Sequence, residues 1–145
     1  MKDNESGINS LDKFLKLGDE TPLLVNPVLI PIFGVREALF MQQIHYWCEI
    51  NKTKDNNLKE GHYWTYNTDE DWSKELTFSA KTIFNMRRKL KKKIVLVTGN
   101  FNRANFDKTI WYRLNYEKIE EIIQQNQPNC KNYDTVSQEL ENDVA

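Results

Sequence analysis

The stretch from Thr68 to Leu114 constrains the fold more than any other part of the chain. It contains two residues suited to open a helix, Thr68 and Ser79, each followed by apolar residues at helical spacing. A Thr or Ser side chain at such a position accepts a hydrogen bond from an otherwise free N–H of the first turn. The acids Asp69, Glu70 and Asp71 after Thr68 suit the positive end of the helix dipole. Trp72 and Leu76, at i and i+4, then predict a helix to about Leu76 with both side chains inward. Thr77-Phe78 leaves room only for a tight connection. Ser79 begins a second helix through about Lys92, with Ile83, Met86 and Leu90 as its inward stripe. A β-branched run, Ile94–Thr98, a polar loop, Gly99–Lys108, and a returning run, Thr109–Leu114, predict a hairpin.

The remaining elements fall around this unit. Thr21–Ile32 is apolar but holds three prolines, and Asn26-Pro27 predicts a short helix that Pro31 keeps from extending. Gly34 separates it from a long amphipathic helix, Val35–Ile50, whose apolar stripe is Val35, Leu39, Ile44, Trp47 and Cys48, widened by Phe40 and Met41. Asn51–Gly61 reads as a polar loop and His62–Tyr66 as a strand. Tyr116 to about Gln124 reads as a short helix with Ile119, Ile122 and Ile123 apolar. The order helix, strand, helix, tight turn, helix, strand, loop, strand is that of a winged helix-turn-helix domain. The expected fold is therefore α+β, with three main helices, a small antiparallel sheet carrying the wing hairpin, and a short C-terminal helix. Residues 1–20 read as a flexible segment with one weak amphipathic patch at Leu11, Phe14, Leu15 and Leu17. Residues 21–124 form the domain, and 125–145 read as a disordered acidic tail or linker.

Charge points to function. Ser79–Arg113 holds ten basic residues and one acid, Asp107, a net of +9 in a chain whose total is −1, so the rest must carry −10. Such a local excess is the footprint of a phosphate-backbone binder. A helix fits the DNA major groove and offers one face to base edges and phosphates. On the Ser79–Lys92 helix Asn85 suits adenine, Arg88 suits guanine or phosphate, and Thr82 suits either. Lys81, Lys89, Lys92 and Lys93 are expected on phosphates, which set register without reading sequence. Arg103 and Lys108 on the loop are expected to reach the backbone or adjacent minor groove. Arg87 points nearer the core edge. Trp64, Trp72, Trp111 and Tyr112 are expected in the core, and Phe101 and Phe106 either brace the loop or meet a partner.

Other function classes fare poorly. No Cys or His spacing fits a metal site, His45 and His62 lack a catalytic partner at a known spacing, and the five glycines form no phosphate-cradling motif. The reading is a protein without cofactor or metal that is not an enzyme. Cys48 and Cys130 are expected as free thiols in a reducing cytoplasm. No apolar run approaches the roughly 20 residues of a membrane span.

Several pieces together carry a family likeness: Leu24–Pro27, Glu37–Trp47 (EALFMQQIHYW), Tyr63–Asn67 with Trp72, Val97–Asn100 (VTGN), Phe106–Thr109 with Trp111-Tyr112, and Asn115–Lys118. The chain resembles, over about residues 23–120, the N-terminal winged-helix module of DnaD-like replication initiator and replisome organiser proteins of Gram-positive phages, plasmids and conjugative elements. The resemblance implies double-stranded DNA as partner, self-association, and recruitment of helicase-loading proteins. It also marks two departures: Ile94 stands where the family usually has glycine, and Lys91-Lys92 where acids are common. A transcriptional regulator of the same element, or a winged-helix interaction module, are the alternative expectations.

Overall fold

A computed structural model describes residues 22–126. The Leu11–Leu17 patch, Cys130 and nearly all of the acidic tail lie outside the described residues. Five helices and five short strands follow one another: α1 Leu29–Phe33, α2 Val35–Lys54, β1 Leu58–Lys59, β2 His62–Tyr63, β3 Thr65–Asn67, α3 Asp69–Leu76, α4 Ala80–Lys92, β4 Leu96–Gly99, β5 Ile110–Leu114 and α5 Tyr116–Gln125. The fold is α+β, with one three-stranded antiparallel sheet in the order β3-β5-β4 and a separate β1-β2 ladder.

Both expected caps form. Thr68 Oγ1 accepts from the Asp71 N–H at 3.1 Å, and Ser79 Oγ from the Thr82 N–H at 3.1 Å. Asn115 does the same for α5, its Oδ1 accepting from the Lys118 N–H at 3.2 Å. Asn26 acts one step earlier than expected: its Oδ1 takes the Val28 N–H at 3.0 Å, and α1 begins only at Leu29. Between α1 and α2, Gly34 sits at φ 100°, ψ 154°, where a Cβ would strike the Glu37 carboxylate.

Three expectations need correction. Asn51–Gly61 is not simply a loop: its first residues finish α2, and Leu58-Lys59 pair with His62-Tyr63. His62–Tyr66 is not one strand, because the chain changes partner at Trp64, from β1 before it to β5 after it. The inward stripe of α2 is also rotated. Ala38, Phe40, Met41, Ile44 and Cys48 are buried, whereas Val35 is 54% exposed. Apolar residues surround much of this helix, so periodicity alone chose the wrong edge.

The core lies between the helices and one face of the sheet. At its centre Phe40, Trp72 and Tyr112 meet edge to face, with centroids 5.3, 5.9 and 5.7 Å apart. Rings in this arrangement bury large apolar area and set electropositive edges against electronegative faces. Alternation along β5 divides its side chains: Tyr112 and Leu114 join this core, while Trp111 faces the other way. There Trp111 lies 4.8 Å from Tyr66 and 5.5 Å from Phe101, and Phe101 lies 4.9 Å from Trp64. Trp64, Trp72, Trp111 and Tyr112 are all buried, as expected.

Candidate nucleic-acid interface

The α3–α4 pair is held by its turn and by a partly buried ion pair. Thr77 ends α3 in the left-handed conformation, φ 60°, and the Ser73 hydroxyl donates to the Phe78 carbonyl across the turn. From α4, the Arg87 guanidinium donates to both oxygens of Asp69 on α3, at 2.6 and 3.2 Å, and to Tyr112 Oη on β5 at 3.0 Å. Burial disfavours the guanidinium charge, but the hydrogen bond and charge of Asp69, with the hydrogen bond to Tyr112, outweigh it and leave Arg87 more firmly protonated than usual. Burial pushes the Tyr112 hydroxyl up despite the adjacent cation. Arg87 is thus a joint among three elements. Its inward lean was expected; its ion pair with Asp69 was not, because the two are far apart in sequence and Asp69 already had a reason to be at a helix start.

With Arg87 turned inward, the opposite side of α4 faces solvent. Lys81, Asn85, Arg88 and Lys92 are exposed there, and none has a hydrogen-bond or ion-pair partner among the described residues. Positions i, i+4, i+7 and i+11 fall on one stripe, so the structure brings these four together. Lys91 is exposed one position away.

Three other expected contacts are already engaged. Thr82 Oγ1 shares a hydrogen bond with Ser79 Oγ at 2.9 Å, as part of the cap. Lys89 Nζ donates to Glu37 Oε1 at 3.2 Å and to the Phe33 carbonyl at 3.3 Å, tying α4 to the α1–α2 junction. Lys93 Nζ lies 5.6 Å from the Phe33 ring centroid. Arg113 is likewise turned inward, its guanidinium carbon 5.2 Å from the centre of Trp64. The +9 of the basic segment therefore overstates the free cationic face, since a charge count cannot see which cations pack internally.

The β4–β5 loop carries Arg103 and Lys108, both exposed. It borders the acidic start of α3, across a groove of ≈ 560 Å³ lined by Asn67–Glu70 and Phe106–Ile110. Lys108 lines this groove together with Asp69 and Glu70, and its Nζ donates to the Asn105 carbonyl at 3.3 Å. The loop is ordered by a residue the sequence reading passed over. Asn102 Nδ2 donates to Asn100 Oδ1, the Asp107 carbonyl and the Thr109 carbonyl at 2.8, 3.0 and 2.7 Å. Its Oδ1 accepts from Trp111 Nε1 at 2.8 Å. Asp107 Oδ1 accepts the Thr109 N–H and hydroxyl, which lowers its pKa. Of the two loop phenylalanines, Phe101 braces the loop against Trp64 and Trp111, while Phe106 is 88% exposed. A polar loop rich in Asn signals such turns, but which Asn is central depends on the approach of Trp111.

α4 ends in a Schellman motif. The Val95 N–H bonds the Leu90 carbonyl at 3.2 Å, and the Ile94 N–H the Lys91 carbonyl at 3.0 Å. Ile94 occupies the left-handed position, φ 63°, that usually requires glycine. Lys91, Lys92 and Lys93 at this end favour the negative pole of the dipole.

A second surface lies on the far side of α2. A groove of ≈ 470 Å³ is lined by Leu23, Leu24, Tyr46, Trp47 and polar residues including Glu75, with Leu24 72% exposed. His45 Nδ1 bonds Tyr116 Oη at 2.7 Å, in keeping with a structural histidine. Cys48 is buried, and its thiol is pushed up to about 12 by loss of water, so it stays protonated and unreactive at neutral pH. No cluster of His, Cys, Asp or Glu among the described residues has the arrangement to hold a metal ion, and no described helix is long and apolar enough to cross a membrane. No protein-family model matches the chain, and comparison with curated proteins and with solved structures finds no match to either.

Proposed function

We propose that this chain is a winged helix-turn-helix protein that binds double-stranded DNA through α4 and acts in replication initiation of a phage or mobile element, in the manner of the DnaD-like modules it resembles. The observation that carries the DNA reading is the α4 stripe. Lys81, Asn85, Arg88 and Lys92 face solvent together without hydrogen-bond or ion-pair partners among the described residues, on a helix braced from behind by Arg87. Support for the fold name comes from the α3–turn–α4 unit followed by a hairpin whose second strand, β5, also pairs with β3 in one sheet. In this reading α4 lies in the major groove, Asn85 and Arg88 meet base edges, and Lys81 and Lys92 meet phosphates. The β4–β5 loop plays the lesser part, through Arg103.

Salt dependence tests it. Each phosphate neutralised should add about 0.9 to the slope of log affinity against log salt, so several contacts give a steep fall. Failure to bind any duplex at low salt would remove the reading. A footprint on the element's own DNA separates replication from transcriptional regulation: protection at the origin supports the first, at a promoter the second. The apolar groove beside Leu24 favours a second activity, self-association or docking of helicase-loading proteins. Sedimentation over a range of concentrations tests the former, and a strict monomer would remove it.

A further inference from the structure

Beside the exposed polar stripe of α4 stands one large apolar side chain. Phe84 is 45% exposed, between Lys81 one turn before and Arg88 one turn after. It does not belong to the core cluster formed by Ile83, Met86 and Leu90. The ring adds nothing to the core cluster and stands beside the cationic stripe.

Its surroundings fix its position. The Arg87 guanidinium carbon lies 5.5 Å from the ring centroid, and Arg88 lies at 5.7 Å. Cations at such distances are attracted to the electron-rich ring. Arg87 cannot wander, because Asp69 and Tyr112 hold it. The ring therefore rests on an immobile cation that is anchored in turn to α3 and β5. This is a preorganised apolar contact rather than a loose surface side chain.

We infer that Phe84 is a specificity-determining residue, reading the 5-methyl group of thymine in the major groove. This rests on the duplex-binding reading above. Of the base-pair edges exposed in that groove, only thymine's carries a methyl; the others present donors and acceptors alone. A phenyl ring offers them no hydrogen bond. Against guanine or cytosine it would strip water from polar atoms without replacing the lost bonds, which is unfavourable. Against thymine it buries a methyl. Asn85, the next residue on the same face, suits adenine, so neighbouring positions of α4 together favour an A·T-containing step.

The test uses the whole chain and synthetic DNA. Duplexes selected from a randomised pool should show a thymine that wild type requires and Phe84→Ala does not. Replacing that thymine by deoxyuridine removes the methyl and leaves every hydrogen bond in place. Wild-type affinity should fall about fourfold, the effect of one buried methyl, while Phe84→Ala binds both duplexes equally. Because Phe84 lies outside the core cluster, its removal should lower the unfolding midpoint only slightly, through its lost contact with Arg87 and Arg88, and a cooperative transition checks that the variant is folded. Three results would overturn the inference: no loss on deoxyuridine substitution, an equal loss in wild type and Phe84→Ala, or tighter binding of the same sequence as a single strand. Each of these leaves duplex binding itself standing or measured separately. Absence of any duplex binding at low salt removes the broader reading together with this one.

Discussion

Arg87 and Arg88 are adjacent and chemically identical, yet the fold gives them opposite tasks. Arg87 is 8% exposed and joins α3, α4 and β5 through Asp69 and Tyr112. Arg88 stands in solvent one position further round the same helix. A rotation of about 100° per residue is enough to turn a structural cation into a candidate DNA contact. The comparison shows why net charge is a blunt guide. Arg87, Lys89 and Arg113 are engaged within the fold, and the surface able to meet a polyanion is the narrower stripe that remains.

The largest effect expected from this contrast is on stability. Arg87→Ala leaves Asp69 and the Tyr112 hydroxyl without their partner. It should lower unfolding free energy by about 2–4 kcal/mol, toward the low side for a broken buried pair because Asp69 is one-third exposed. Urea denaturation measures this, and a loss below about 1 kcal/mol would erase the distinction between the two arginines. Arg88→Ala should do the reverse: unfolding within about 0.5 kcal/mol of wild type, but binding to a selected duplex weakened by about 1–3 kcal/mol. Unchanged binding would show that exposure on this face carries no DNA contact.

The end of α4 sharpens the comparison from a third direction. Ile94 is 59% exposed, so little packing is lost on removing its side chain, while its β-branched Cβ is strained at φ 63°. Ile94→Gly should raise stability by roughly 0.5–1 kcal/mol, relief of the left-handed conformation exceeding the added freedom of the unfolded chain. A thermal melt below that of wild type would refute the strain. The smallest effect concerns Glu75. Burial raises its pKa above the ordinary carboxylate value, although the hydrogen bond from Trp47 partly offsets this. A raised acid pKa means that the folded state disfavours the charged form. The penalty is absent at pH well below 4.5, grows as the unfolded chain ionises first, and is complete above the folded pKa. Glu75→Gln, which keeps an acceptor for Trp47, should therefore stabilise the protein slightly at neutral pH and leave it unchanged in acid. Parallel pH–stability curves for the two proteins would show that Glu75 is not desolvated.

Local signals were the legible ones. The two helices at Asp69–Leu76 and Ala80–Lys92 were readable to within a residue, because Thr68 and Ser79 cap them and Trp72, Leu76, Ile83, Met86 and Leu90 mark their buried sides. The β-branched run after α4 was readable too, although strand pairing starts at Leu96 because the Schellman turn takes up Ile94 and Val95. The change of partner at Trp64 was hidden, since an aromatic run looks alike whichever strand it pairs with. The rotated stripe of α2 was hidden for a related reason: with apolar residues on several sides, only contact with Trp72 and Tyr112 selects Phe40 over Val35.

The candidate site divides along the same line. Sequence by itself determined that cations gather in one helix and hairpin, that Lys81, Thr82, Asn85, Arg88, Lys89 and Lys92 lie opposite the apolar stripe of that helix, and that Trp64, Trp72, Trp111 and Tyr112 lie in the interior. Those properties follow from residue type and from a period of 3.6, both local. Tertiary structure alone decided that Lys89 is tied to Glu37, that Arg87 braces α3 and β5, that Asn102 organises the loop around Trp111, and that Phe84 is left in solvent on a fixed cation. Each of these depends on which distant segment arrives opposite a side chain, and short-range spacing contains no record of that.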